Sequence, residues 1–222
     1  MFLLSLGCTR DFHIMFVMDA SGSIGGSNFE IMKSFVANVI RSLNTSTDSK
    51  VGVIRFSNSA QVVIPLQSTQ DASGLATQVL AVGYTGSGTA THTALGLMET
   101  ELLAAIVDSA APIGILITDG RSNNRALTLA AADGVHAEGI SMYTFGIGDT
   151  NDEELQAIAS APFYEYSFYI SSFNATEFDQ RVLLLTRQTC SSGFCMPVHV
   201  YASYNYTCHK DTILCMSNYM LM

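Results

Sequence analysis

The chain has 222 residues, 48% of them hydrophobic and 13% charged, with a formal net charge of −9. That balance excludes a disordered chain, and acidity without any Lys/Arg cluster argues against nucleic acid or an anionic membrane as partner. No apolar run is long enough to insert through a membrane, and the length suits one ordinary domain with a small appendage.

Residues 1–10 form a lead whose start, Met1 to Gly7, is apolar. It has neither a basic region nor a small-residue cleavage site, so it reads as a truncated signal remnant or an unstructured start. Phe12 to Met18 is a continuous apolar run, the pattern of a strand buried on both faces, and it ends in Asp19. A Gly/Ser loop follows. Ser27 to Glu30 has the form of a capping box, opening a helix whose apolar stripe is Phe29, Met32, Val36, Val39, Ile40 and Leu43.

Val51 to Phe56 and Ala60 to Leu66 flank the short turn Ser57–Asn58–Ser59 and are expected to pair as a hairpin at a sheet edge. Asp71 to Val82 reads as a helix. The Gly/Thr-rich loop around Gly86 to Thr89 comes next, then a helix from about His92 to Ala105. Ile113 to Thr118 is a second buried strand ending in an acid, Asp119. Leu127 to Glu138 is expected as a helix and Ile140 to Ile147 as a strand. Thr150 to Glu153 offers a cap for a helix reaching about Ser160. Ser167 to Ile170 reads as a short last strand, and Asn174 to Glu177 opens a final helix.

Alternating strands and helices imply an α/β fold: a doubly wound, Rossmann-like open sheet, mostly parallel with one antiparallel edge strand and helices on both faces. In strand order 3-2-1-4-5-6, the strands ending in Asp19 and Asp119 are neighbours where the order reverses, and ligands bind at such a point. Asp19, Ser21 and Ser23 lie at alternate positions of one tight loop, so a carboxylate and two hydroxyls can turn inward together. The glycines around Thr89 permit close backbone approach and add a hydroxyl. The donor set is all oxygen, with no His or Cys, and so points to Mg²⁺, with Mn²⁺ or Ca²⁺ as alternatives. Two carboxylates leave a bound dication electrophilic, which favours a partner's carboxylate in an open position.

These residues resemble the von Willebrand factor type A domain. Asp19-Ala-Ser21-Gly-Ser23 matches its Asp-x-Ser-x-Ser signature, Thr89 its threonine loop, and Thr118-Asp119-Gly120 its second acidic loop. Asp-x-Ser-x-Ser alone is ordinary loop chemistry, whereas three segments in order, each at a strand end or in the expected loop, are much harder to obtain by chance. The resemblance implies a metal-ion-dependent adhesion site at Asp19, Ser21, Ser23, Thr89 and Asp119. It also implies a non-catalytic protein-binding module whose partner is an extracellular matrix or cell-surface protein, collagen-like proteins among them.

Five cysteines are present, and none lies between Cys8 and Cys190. A pair bracketing a cysteine-free stretch suggests a bridge between the domain's ends in an oxidising compartment, and many extracellular family members are closed that way. Sequons at Asn44, Asn174 and Asn205 point to the same secreted setting. The expected organisation is a lead at 1–10, a domain at 11–190 and an unassigned tail at 191–222 carrying Cys195, Cys208 and Cys215, within a larger multidomain protein or as a fragment of one.

Two rival readings are weighed. A Mg²⁺-dependent phosphohydrolase would use Asp19 as nucleophile, but Ser21 stands where such enzymes place a second carboxylate, and no Lys neighbours the site. An intracellular subunit of a multiprotein complex is disfavoured by the sequons and the bracketing cysteines. His92 is read as a polar residue opening a helix rather than a ligand. Thr91 and Thr93 are read as a cap and a first-turn residue of that helix. Arg121, Ser122, Asn123 and Asn124 are read as a crevice rim or a solvated loop, with equal weight.

Overall fold

The computed structural model describes residues 11–43, 49–105, 110–148 and 152–173. Cys8, Cys190 and the three tail cysteines, the sequons at Asn44, Asn174 and Asn205, the cap at Thr150 and the helix expected after Asn174 lie outside them.

Six strands form one sheet: β1 (Phe12–Asp19), β2 (Lys50–Phe56), β3 (Ala60–Ser68), β4 (Ala111–Thr118), β5 (Ser141–Ile147) and β6 (Ser167–Ile170). Their order is β3-β2-β1-β4-β5-β6. All neighbours are parallel except β2 and β3, which pair antiparallel. The helices are α1 (Gly25–Ser42), α2 (Ala72–Leu80), α3 (Thr91–Ala105), α4 (Arg125–Ala137), α5 (Asp152–Ile158) and α6 (Phe163–Tyr166). Among the described residues no helix is long and apolar enough to cross a membrane.

The unbroken apolar run of β1 is explained by the two layers it serves. Successive strand side chains point to opposite faces. Phe12, Ile14, Phe16 and Met18 pack with Phe29, Met32, Phe35 and Val36 of α1. Met15 and Val17 pack on the other face with Leu95, Met98 and Leu102 of α3 and Val135 of α4. Strand β4 repeats the pattern, with Ile113, Ile115 and Ile117 toward α1 and Leu116 toward α3. Burying each such side chain stabilises the fold by roughly 1.5–3 kcal/mol, so the two central strands are held from both sides. A rigid pair of strands is what fixes the positions of the loops at their carboxyl ends.

One expectation is corrected. Ser27 to Glu30 is not a capping box. Helix α1 begins at Gly25, and its N-cap is Ile24, which makes no side-chain cap bond. Gly25 takes a left-handed backbone conformation (φ 72°) open to glycine, so the chain enters the helix before Ser27. The one-turn helix α6 was not expected, because four residues cannot display a helical period. The start of α2 follows the sequence more closely. Asp71 caps it by accepting from the Gly74 backbone N–H at 2.8 Å.

Candidate metal centre

Asp19 is the last residue of β1, and Asp119 directly follows β4. The two strands run parallel in register, with Met18 opposite Ile117. The carboxylates therefore emerge side by side at the sheet's carboxyl end.

The loop after β1 is folded by its own polar side chains. The Ser21 backbone N–H donates to Asp19 Oδ1 at 2.8 Å, the turn that an Asp makes with the residue two ahead. Ser21 Oγ and Ser23 Oγ lie 3.1 Å apart, and Ser23 Oγ donates to Asp119 Oδ1 at 2.8 Å. Asp19, Ser21, Ser23 and Asp119 are thus joined in one chain of hydrogen-bond contacts. From beneath, Thr118 Oγ1 donates to Asp19 Oδ2 at 2.6 Å and accepts from the Gly120 backbone N–H at 3.2 Å.

The loop before α3 is laid against the first loop. Ser21 and Ser87 form an isolated parallel bridge, with Gly22 N–H donating to Ser87 O at 2.6 Å and Gly86 N–H to Ala20 O at 2.9 Å. Tyr84 Oη donates to Ser21 O at 2.8 Å, and its ring packs 5.7 Å from Phe29. Gly86 has a φ of 66°, and a Cβ there would run into the Tyr84 ring. Thr89 sits on this loop, 8% exposed. It is tied to the Asp119 loop through its backbone: Thr89 N–H donates to Asn123 Oδ1 at 3.2 Å, and Asn123 N–H donates to Thr89 O at 2.8 Å.

Asp19 is fully buried. Burial raises its carboxyl from an ordinary 3.8 to about 6, and the nearby Asp119 charge adds to the rise, against hydrogen bonds from Thr118 and Ser21. Burial also raises half-exposed Asp119, against the bond from Ser23. Among the described residues, no Lys or Arg forms an ion pair with either acid. Nor do three of His, Cys, Asp and Glu come together in a metal-holding group among them. The oxygen groups gathered here are two carboxylates and neighbouring hydroxyls, a set suited to a hard cation. A buried carboxylate beside a second one and without a cationic partner is costly, and a dication between them removes that cost. A groove of about 520 Å³, bounded by Asn28, Asp119, Ile147, Gly148 and Phe173, opens beside Asp119.

The family profile described as the von Willebrand factor type A domain matches residues 13–181. The chain belongs to this family. Matrilin-2 of Mus musculus is 32% identical over 168 residues, covering 72% of this chain and 17% of the relative. Collagen alpha-1(XXI) chain of Xenopus laevis is 28% identical over 184 residues, covering 82% of this chain and 19% of that one. Vitrin of Homo sapiens is 29% identical over 168 residues, covering 75% and 24%. The domain thus spans a quarter or less of these relatives' length. They are secreted extracellular matrix proteins, and the domain is extracellular with them. Among solved structures, proximal thread matrix protein 1 from the mussel byssus superposes with a TM-score of 0.73 at 26% identity, covering 83% of this chain and 49% of that one. A second structure of that protein, described as having a zinc-occupied MIDAS motif, gives 0.71 at 25% identity, covering 83% and 49%.

The von Willebrand factor type A fold brings Asp19, Ser21, Ser23 and Asp119 together and seats the Thr89 loop alongside them. His92 lies in the first turn of α3, and Thr93 Oγ1 in the same turn donates to Ala90 O at 2.7 Å. The segment read as a rim or a solvated loop proves more specific. Asn124 caps α4 by accepting from Leu127 N–H at 3.1 Å, Asn123 binds the Thr89 loop, and Ser122 N–H donates to buried Glu154 at 3.3 Å. The sequence alone did not show the supporting roles of Thr118, Asn123 and Asn58. The one available signal was the Asn123–Asn124 doublet, since a single helix start has room for one capping side chain.

Proposed function

We propose that this domain is a divalent-cation-dependent protein-binding module of the extracellular matrix. In this reading Asp19, Ser21, Ser23, Thr89 and Asp119 hold the ion, directly or through water, and Mg²⁺ is the ion expected. The supporting observation is the linked pair of buried Asp19 and half-exposed Asp119, joined through Ser21 and Ser23 and lacking a basic partner among the described residues. The zinc-occupied motif of the mussel byssus protein supports a divalent ion at the corresponding fold position. A bound dication supplies a Lewis-acidic position that a partner's carboxylate can complete. The chain's own residues do the rest. The serines contribute neutral donors, Thr118 and Ser21 N–H orient Asp19, and the two acids limit the anionic charge so that an outside carboxylate is still attracted.

The module is read as non-catalytic. Asp19 is fully buried, with one carboxylate oxygen engaged by Ser21 N–H and the other by Thr118 Oγ1. That leaves it poorly placed to attack a phosphoryl group. Residues 11–190 are taken as the domain, within a larger multidomain protein. The test is binding of the whole chain to a panel of immobilised matrix proteins, collagens included, in Mg²⁺ and in EDTA. Binding should need Mg²⁺ and vanish in Asp19→Ala with the circular dichroism spectrum retained. Binding unchanged by EDTA would overturn the proposal.

A further inference from the structure

The Thr89 loop is gripped by two asparagine side chains from two different elements. Asn58 sits in the β2–β3 turn. Its Oδ1 accepts from Gly88 N–H at 2.9 Å, and its Nδ2 donates to Ser87 Oγ at 2.6 Å. Asn123 approaches from the Asp119 loop: its side-chain Oδ1 accepts from Thr89 N–H, and its backbone N–H donates to Thr89 C=O. Between them lies Gly88, where a Cβ would collide with Asn58 Oδ1 and approach Asn123 Nδ2. The turn adds a third tie, from Ala90 N–H to Ser57 O at 2.7 Å. Three successive residues, Ser87 to Thr89, are thus pinned by amide side chains that carry no charge.

We infer that Asn58 and Asn123 are positioning residues that set how rigidly Thr89 is presented to the ion, and thereby the size selectivity of the site. The inference rests on the metal-site reading above. Its physical basis is the difference between the cations. Mg²⁺ demands near-ideal octahedral geometry at short distance, whereas Ca²⁺ accepts variable geometry and number. A loop that loses one of its ties still supplies a hydroxyl to a large, tolerant ion. It does so poorly for a small, exacting one. Groups that orient metal ligands from behind are worth roughly 10- to 100-fold in affinity.

The experiment is calorimetric titration of the full chain with Mg²⁺ and, separately, with Ca²⁺, in the native protein, Asn123→Ala and Asn58→Ala. Melting temperature and amide exchange are recorded in EDTA. Each variant should lose about tenfold or more in Mg²⁺ affinity, while Ca²⁺ affinity changes by less than about threefold. The metal-free melting temperature should hold within a few degrees. Exchange should quicken at the Thr89 amide in Asn123→Ala and at the Gly88 amide in Asn58→Ala. Equal losses for both cations, or none, would overturn the inference, as would failure of both variants to fold. A native protein that takes up neither cation would instead sink the metal-site reading itself.

Discussion

Thr118 Oγ1 donates to Asp19 Oδ2 at 2.6 Å, joining residues 99 positions apart at the carboxyl ends of adjacent parallel strands. Thr118 is itself buried, so no water stands ready to replace it. Thr118→Val keeps the shape and removes the donor. A hydrogen bond to a charged group is worth about 1.5–3 kcal/mol, and the metal-free variant should lose about that much stability at pH 7 in urea denaturation. Cation affinity should fall about tenfold or more. An unchanged urea midpoint would mean that the carboxylate has relaxed onto another donor.

The raised Asp19 carboxyl predicts a stability cost for the metal-free domain at neutral pH. Its carboxyl is raised from 3.8 to about 6, so the folded state binds its proton more tightly than the unfolded chain does. Stability from this group is therefore greatest below about pH 4 and declines as pH rises toward about 6. With roughly 1.4 kcal/mol for each tenfold difference in proton affinity, the cost at pH 7 is about 3 kcal/mol. Asp19→Asn removes the charge and keeps an acceptor for Ser21 N–H. In EDTA the variant should be more stable than the native protein at pH 7, by up to about 3 kcal/mol, and the gap should close between pH 6 and pH 4. Paired urea titrations across that range measure it. A gap independent of pH would assign the effect to packing instead.

The same charges reverse their effect when a dication is present. Mg²⁺ added at about a hundred times its dissociation constant should stabilise the native domain by about 2.7 kcal/mol through mass action. Asp19→Asn should show no Mg²⁺-dependent rise in melting temperature, although its starting temperature in EDTA is higher. The crossing of the two proteins' melting temperatures as Mg²⁺ increases is the diagnostic result. Parallel rises in both would place the bound ion away from Asp19.

The parts legible in the sequence were those carried by long-range pattern. The apolar run of Phe12 to Met18 declared a strand covered on both faces, and the hairpin at Ser57 to Ser59 declared an edge. Together they led to the observed strand order and to neighbouring acids at Asp19 and Asp119. The contacts of Ser21 and Ser23 followed from their alternation within one loop. What escaped were the supporting groups that act across loops, Thr118, Asn58 and Asn123. Thr118 read as the end of an apolar strand, since nothing in one strand's sequence says which neighbour its last side chain meets. Asn58 read as turn chemistry, because an asparagine suits a turn whether or not its amide also reaches the Gly88 backbone. Ser27 misled for a related reason. The capping-box pattern is local, and the left-handed turn at Gly25 started the helix before the pattern could act.

Asn123 and Asn124 separate two roles that their adjacency conceals. Asn124 Oδ1 accepts from Leu127 N–H at 3.1 Å, and its extended backbone (φ −144°, ψ 92°) is that of an N-cap residue. Its side chain serves α4, and among the described residues its one side-chain hydrogen bond is this cap. Asn124→Ala should therefore cost about 1 kcal/mol of stability, the usual loss for an N-cap, and leave Mg²⁺ affinity within about twofold, as expected for a residue outside the donor network. Asn123→Ala should show the opposite split, with little change in the metal-free midpoint and a clear loss of Mg²⁺ affinity. Urea denaturation in EDTA and calorimetric titration of both variants make the comparison. The two residues share a sequence neighbourhood, a side-chain chemistry and an exposed loop, so a difference in outcome can come only from what each amide touches. Equal losses of Mg²⁺ affinity would mean that the start of α4 and the Thr89 loop move as one unit.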